Sequence, residues 1–253
     1  MTNREKYKFD DFTLANYDRL VAMAVEKGYQ FISYSDEFVE GRKDVLWRHD
    51  VEFEPDVALK MAEIEQKHGA KATYFFQIHS PYYNIFDSHY SEVFHKIRTL
   101  GHHVGLHFDS HYYGVNDEAQ LQKYIELDRS YFEAVLGVKI NAFSFHNTTP
   151  FTHTCLAPNY GGLINVYSSH FKEKFNYCGD SLGYWRFDRL EDVLKDDSIQ
   201  HLQVLTHDAN WTEEVLSPRK RVHKFAYDKA DRLYHGQVYG LIDKGMLCPD
   251  DED

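Results

Sequence analysis

Apolar residues recur three and four positions apart through FTLANYDRLVAMAVEKG (12–28), and Gly28 closes the run, so the spacing predicts a helix. YQFISY (29–34) and DVLWRHDV (44–51) read as strands. EPDVALKMAEIEQKHG (54–69) carries Pro55 near its start and Gly69 at its end, the asymmetry of a helix. AKATYFFQI (70–78) is rich in β-formers, SHYSEVFHKIRTLG (88–101) has helical spacing, and HHVGLHF (102–108) reads as a strand. A long amphipathic helix follows at 117–137 and another strand, INAFSFH, at 140–146. Strands alternating with helices from 44 to 146 predict parallel pairing, in a barrel or a doubly wound sheet. Residues 151–186 are less regular. Beyond Gly161–Gly162, LINVYSS (163–169) reads as a strand, RLEDVLKD (189–196) as a short helix, HLQVLTH (201–207) as a strand and 218–245 as a closing helix. The expectation is one domain over 1–253 with six or seven strands. Residues 1–43 form an N-terminal helical and strand extension, and 218–253 a C-terminal helix and acidic tail.

Parallel α/β folds place their sites at the carboxyl ends of the strands. Four strands here end in groups that bind metals or move protons. Strand 44–51 leads through His49 and Asp50 to Glu52, and strand 102–108 through His107 to Asp109 and His111. Strand 140–146 ends at His146 and Asn147, and strand 201–207 at His207 and Asp208. If the chain is still extended at Asp50 and Glu52, both carboxylates point to one side. One can then hold a metal while the other stays free as a base. His107 and His111 stand four apart, a spacing that shares a face on a helical turn. Two imidazoles and a carboxylate leave an open position on an ion such as Zn²⁺. With sixteen histidines in the chain, H-x-x-x-H alone is a weak signal; the neighbouring carboxylate pair strengthens it.

Composition narrows the partners. The chain is 43% hydrophobic, enough for a sizeable core, and its net charge of −12 has no basic stretch to offset it, which argues against nucleic acid. Three cysteines (Cys155, Cys178, Cys248) with no C-x-x-C spacing favour a reducing compartment. The N-terminus shows no apolar signal region and the chain no apolar run long enough to span a bilayer, so the expectation is a soluble, cytoplasmic protein.

The motifs together resemble the polysaccharide deacetylase family (the NodB-homology domain, carbohydrate esterase family 4). The likeness is to the branch whose first motif reads R-H-D-V-D, here Arg48-His49-Asp50-Val51-Glu52. ATYFF (72–76), GHHVGLHFDSH (101–111), SFHNTTP (144–150), YCGDSLGYW (177–185) and LTH (205–207) follow in the family's order. The resemblance implies a distorted (β/α) barrel of about seven parallel strands and metal-dependent removal of acetyl groups from sugars. It implies Asp50 as catalytic base, Glu52, His107 and His111 as metal ligands, His207 as general acid and Asp180 as its support. One divalent ion, Zn²⁺ first, is the implied cofactor. The chain departs from the pattern twice. Glu52 stands where the family has Asp, and the third motif offers His146 and Asn147 where the family has an Arg that orients the base. His146 and Asn147 are candidate substrate contacts, with the rings of PYYN (81–84), of HYYG (111–114, Tyr112 among them) and of Trp185 as stacking faces.

The leading functional expectation is a hydrolase acting on an acetamido sugar, a cytoplasmic precursor of a surface polysaccharide. Two alternatives stand beside it: an amide hydrolase with a non-sugar substrate, and a pseudoenzyme that binds sugar or metal without turnover. The sequence leaves oligomeric state open.

Overall fold

Thr13 caps helix α1 (Leu14–Glu26), its hydroxyl accepting from Asn16 N, and the helix buries Tyr17, Leu20, Val21 and Ala24. These elements belong to a computed structural model that describes residues 2, 5, 6, 9–185 and 187–246; Cys248 and the acidic stretch 249–253 lie outside the described residues. After β1 (Gln30–Phe31) comes β2 (Asp44–Val51), buried along its whole length, as a strand covered on both faces must be. Pro55 opens α2 (Pro55–Lys67). Then follow β3 (Thr73–Phe76), α3 (Ser88–Thr99), β4 (His103–Asp109), α4 (Glu118–Leu136) and β5 (Ala142–His146). Asp87 and Asp117 cap α3 and α4, and Gly137 ends α4 in the left-handed conformation.

The irregular region resolves into β6 (Asn159–Tyr160), β7 (Leu163–Asn165), α5 (Ser169–Lys174) and β8 (Asn176–Gly179). The strand expected over 163–169 therefore stops at Asn165, whose amide bonds back to Cys155 O and Ala157 O while Tyr167 N donates to its Oδ1. That turn starts α5 instead. Helix α6 (Leu190–Lys195), β9 (His201–His207) and the long α7 (Pro218–Asp243) complete the chain.

Among the described residues the strands form one nine-stranded sheet. Its order is β6-β7-β5-β4-β3-β2-β9-β8, with β1 paired to the start of β2. Only β6–β7 is antiparallel. The sheet curls into a distorted (β/α) barrel left open between β8 and β6. Leu46, Phe75, Ala142, Val166 and Phe175 form a small apolar cluster on the face that carries Arg48 and Asp50, while the larger core lies between the sheet and the helices. Gly105 is required there, since a Cβ would meet the Phe75 ring at 2.5 Å.

His49 faces away from that interior. It joins a fully buried polar knot around Glu65 that ties α1, α2, β2 and β3 together. His49 Nε2 lies 2.5 Å from Glu65 Oε1, Tyr74 donates to Oε2 at 2.6 Å, and Tyr17 donates to Oε1. Burial would raise the Glu65 carboxyl, but the His49 charge and these hydrogen bonds outweigh it and hold it below its usual value. Of the charged residues Arg48, His49, Asp50 and Glu52, His49 thus serves the architecture and the other three share the opposite face.

Candidate active site

The alternation of β2 sends Arg48 and Asp50 to one face, and Glu52 follows just past the strand end. The register then brings the neighbouring strands to them. Asp50 pairs with His207 on β9, His107 with Ser144 on β5, and Asp109 with His146. The result is a cleft of about 1060 Å³ at the carboxyl edge of the sheet, lined among others by Arg48, Asp50, Glu52, His146, Asn147 and His207.

Asp50 is buried and braced from two sides. Arg48 binds it bidentately, Nε to Oδ1 at 3.0 Å and Nη2 to Oδ2 at 2.8 Å, and Ser144 Oγ donates to Oδ1 at 3.1 Å. Arg48 is itself buried, with Tyr167 and Phe75 against its guanidinium. Burial works to raise the Asp50 carboxyl, but the Arg48 charge, then that of His107, hold it below its usual value. Asp50 is thus ionised at neutral pH and accepts only.

That fixes the neighbour's proton. Ser144 spends its hydrogen on Asp50, so its oxygen accepts from His107 Nδ1–H at 2.6 Å. His107 Nε2 is left pointing at Glu52 Oε1, 3.0 Å away. His146 Nδ1 lies 2.8 Å from the same oxygen and 3.3 Å from His107 Nε2. Tetrahedral ligands about 2.0–2.1 Å from zinc stand roughly 3.3 Å apart. The three separations are close to that, and a carboxylate facing two imidazole nitrogens needs a proton or a cation among them. Glu52, His107 and His146 fit a divalent ion. Burial would raise the Glu52 carboxyl, yet the His207 charge and the close approach of the His107 and His146 imidazoles hold it well below its usual value.

His111 lines the same cleft, but its side chain does not reach this group. The spacing argument needed a helical turn, but His107 lies within β4 and His111 in the turn after it. Its side chain is 54% exposed and pairs with Asp109 at 3.3 Å. His146, expected to touch substrate, stands in the third position instead. Asn147, the one described non-glycine residue with positive φ (46°), turns the chain outward and holds its Nδ2 2.8 Å from His146 Nε2. Replacing His107 or His146 with Ala is expected to remove bound zinc, measured by elemental analysis of the purified chain. His111→Ala should keep it; the reverse pattern would restore the pair read from the spacing.

His207 Nδ1 bonds Asp180 Oδ1 at 2.6 Å, and Asp180 is fully buried, also accepting from His207 N and Asn210 Nδ2. His207 Nε2 stands 3.9 Å from Glu52 Oε1. Burial would lower the imidazole, but the charges of Asp180 and Glu52 push it up to about 10. His207 is a proton donor at neutral pH.

Of the expected sugar platforms, Tyr82 from PYYN lines the cleft, while Trp185 and Tyr112 lie elsewhere. Trp185 is 4% exposed and packs on Phe12 and Trp211 in the core, because the loop after β8 runs under the N-terminal segment. Tyr112 is 62% exposed and stacks on His79 at 3.7 Å, and it does not line the cleft. Two supports were not anticipated. Asp208 gathers the amides of Glu52, Phe53 and Glu54 on its carboxylate. Helix α7 latches the same loop, Lys229 Nζ donating to Phe53 O at 3.0 Å and Arg232 to both oxygens of Glu54 at 3.2 Å.

No protein-family model and no curated protein matches the chain. Solved structures do. The chain is similar in structure to family 4 carbohydrate esterases. One such esterase from Bacillus anthracis is 15% identical with a TM-score of 0.46, over 85% of this chain and 84% of that one. The catalytic domain of a peptidoglycan N-acetylglucosamine deacetylase from Eubacterium rectale is 17% identical (TM-score 0.43, 79% and 90% covered). A family 4 pseudoenzyme from Bacillus anthracis is 14% identical (TM-score 0.41), with 75% of this chain and 63% of that one covered. Among the described residues no helix is long and apolar enough to cross a membrane.

Proposed function

We propose that the protein is a metal-dependent hydrolase that removes an acetyl group from an acetamido sugar. The observation that carries this reading is the convergence, in one cleft, of three metal-type donors with an ionised base and a charged acid. Glu52, His107 and His146 would hold the ion, Zn²⁺ by the donor set. Bound there, it would lower the pKa of a water toward roughly 7 and polarise the acetyl carbonyl. Asp50, fixed by Arg48 and Ser144, takes the proton of the attacking water. His207 Nε2 gives a proton to the departing amine nitrogen, and Asp180 keeps Nδ1 protonated and the ring aimed.

The substrate we infer is a cytoplasmic sugar conjugate used in a surface polysaccharide. Two free buried thiols, Cys155 and Cys178, fit a reducing compartment.

The test is the leaving group. In zinc-loaded protein, His207→Ala is expected to lose about 10²-fold or more in turnover on an acetamido sugar. It should lose far less on 4-nitrophenyl acetate, whose leaving group needs no proton. The acid must be protonated to act, so wild-type activity on the amide should fall as pH rises toward the His207 pKa. A divalent ion held by Glu52 would offset that carboxylate's charge, one of the causes that raise His207, and so would bring the limb below about 10. Equal losses on amide and ester would place the acid elsewhere. A metal-loaded wild-type chain that releases no acyl group from sugar amides or esters would be a pseudoenzyme. Release from simple amides alone would mark a non-sugar amide hydrolase.

A further inference from the structure

The cleft has a wall on its β3 side for which the chemistry above has no use. Gln77 follows β3 directly. Extending the register Val51–Phe76–Leu106 by one residue sets Gln77 between Glu52 and His107, on their face of the sheet. Gln77 lines the cleft, is only 2% exposed, and its Nε2 has no hydrogen-bond partner. Buried amides are nearly always paired, because leaving one unpaired forfeits its hydration for nothing in return. Of the described buried polar side chains that lack a partner, Gln77 alone lines this cleft.

Beside it stands an aromatic face. Tyr82 lines the same cleft, is 46% exposed, and rests on Phe53 with ring centroids 4.1 Å apart. The loop that carries it is tied down at several points. Ser80 Oγ donates to Glu52 O and accepts from Tyr82 N. Tyr83 OH donates to Val51 O at 2.7 Å and accepts from Gln77 N at 2.8 Å. Lys229 Nζ donates to Tyr82 O. The backbone that carries both side chains is therefore set in place relative to Glu52, and the Tyr82 ring rests on Phe53, before any ligand arrives.

We propose that Gln77 and Tyr82 form a pyranose-binding subsite on the β3 side of the cleft. A pyranose carries an apolar C–H face and an edge of hydroxyl and acetamido oxygens. The Tyr82 ring takes the face, and the buried Gln77 amide takes an oxygen on the edge. An acyl chain would cover the ring and leave the amide unpaired, so the two groups together favour a sugar. The assignment rests on the reading of the cleft as an acetamido-sugar site, and it names which wall holds a ring of that sugar.

The test uses full-length, zinc-loaded protein and the β-1,4-linked trimer of N-acetylglucosamine. Binding is measured by calorimetry in an Asp50→Asn background, and acetate release in the wild-type background. Tyr82→Ala and Gln77→Leu should each weaken trimer binding about 10-fold. Each should raise KM with kcat little changed and leave zinc content intact. Tyr82→Phe should bind like wild type. Tyr82→Ala changes a half-exposed side chain, so it decides the matter if Gln77→Leu proves unstable. The proposal is overturned if both variants bind the trimer as tightly as the parent, or if the parent does not bind it. Trimer that binds through these residues without acetate release would leave the subsite standing and remove the hydrolase. Acetate release with an unchanged KM in both variants would do the opposite.

Discussion

Asp50→Asn is expected to slow release of acetate from an acetamido sugar by about 10²–10⁴-fold while leaving one equivalent of metal bound. The substitution keeps the shape of the side chain and its bond from Ser144, but it removes the basic oxygen. The three donors that face one another across the cleft, on Glu52, His107 and His146, are untouched. Elemental analysis and turnover must therefore separate. A base must be deprotonated, and the Asp50 pKa is lowered, so protonation of Asp50 should not be what sets the acid limb of wild-type activity; protonation of the metal-holding imidazoles comes first. Loss of metal together with activity would make Asp50 a ligand, and unchanged turnover would remove it from the chemistry.

Arg48→Met is expected to cost about 3–5 kcal/mol of folding stability, the usual consequence of leaving a buried charge without its partner. Denaturant unfolding at neutral pH measures it. Arg48 and Asp50 are both buried and joined by two hydrogen bonds, so an ionised Asp50 alone in that place is the source of the cost. Two further readouts separate this from simple loss of packing. The double variant Arg48→Met/Asp50→Asn should recover much of the stability, because no charge is stranded. Without Arg48 the largest influence lowering the Asp50 pKa is gone, so the acid limb of activity should move upward toward neutrality. The linkage runs the same way. A depressed carboxyl contributes stability that is present above its unfolded pKa of about 3.9 and is lost as pH falls below it. Arg48→Met should lose that contribution at neutral pH. A single variant as stable as the parent would show that the bidentate contact is not the brace it looks to be.

The first motif was legible because a strand has a fixed period. Two-residue spacing placed Asp50 and Glu52 together, and the same rule would have placed Arg48 beside them and exposed its role as the brace the third motif lacks. The alternation of strands and helices from 44 to 146 was legible for the same reason. Which histidines stand beside Glu52 was not. His107 and His111 suggest a pair only if the backbone between them is helical, and β4 runs through it. His146 reaches the group through strand register, which links residues 37 and more positions apart and leaves no local mark. Strand β8 is four residues long and without alternation, and it exists because β9 offers it an edge. Trp185 looked like a sugar platform by residue type alone, but Phe12, from the N-terminal extension, covers it.

The clamp at Asp208 has a consequence for how the site comes into being. The carboxylate that orders the Glu52 loop is supplied from 156 positions downstream, and the latch from α7 comes later still. On the ribosome the first motif emerges long before either. No contiguous piece of the chain shorter than Arg48 to His207 contains the brace, the three donors and His207 together. Contacts of such sequence separation close late and slowly. The gathering of Glu52, His107 and His146 is thus a property of the finished molecule, and a nascent chain carries these side chains without being able to bring them together.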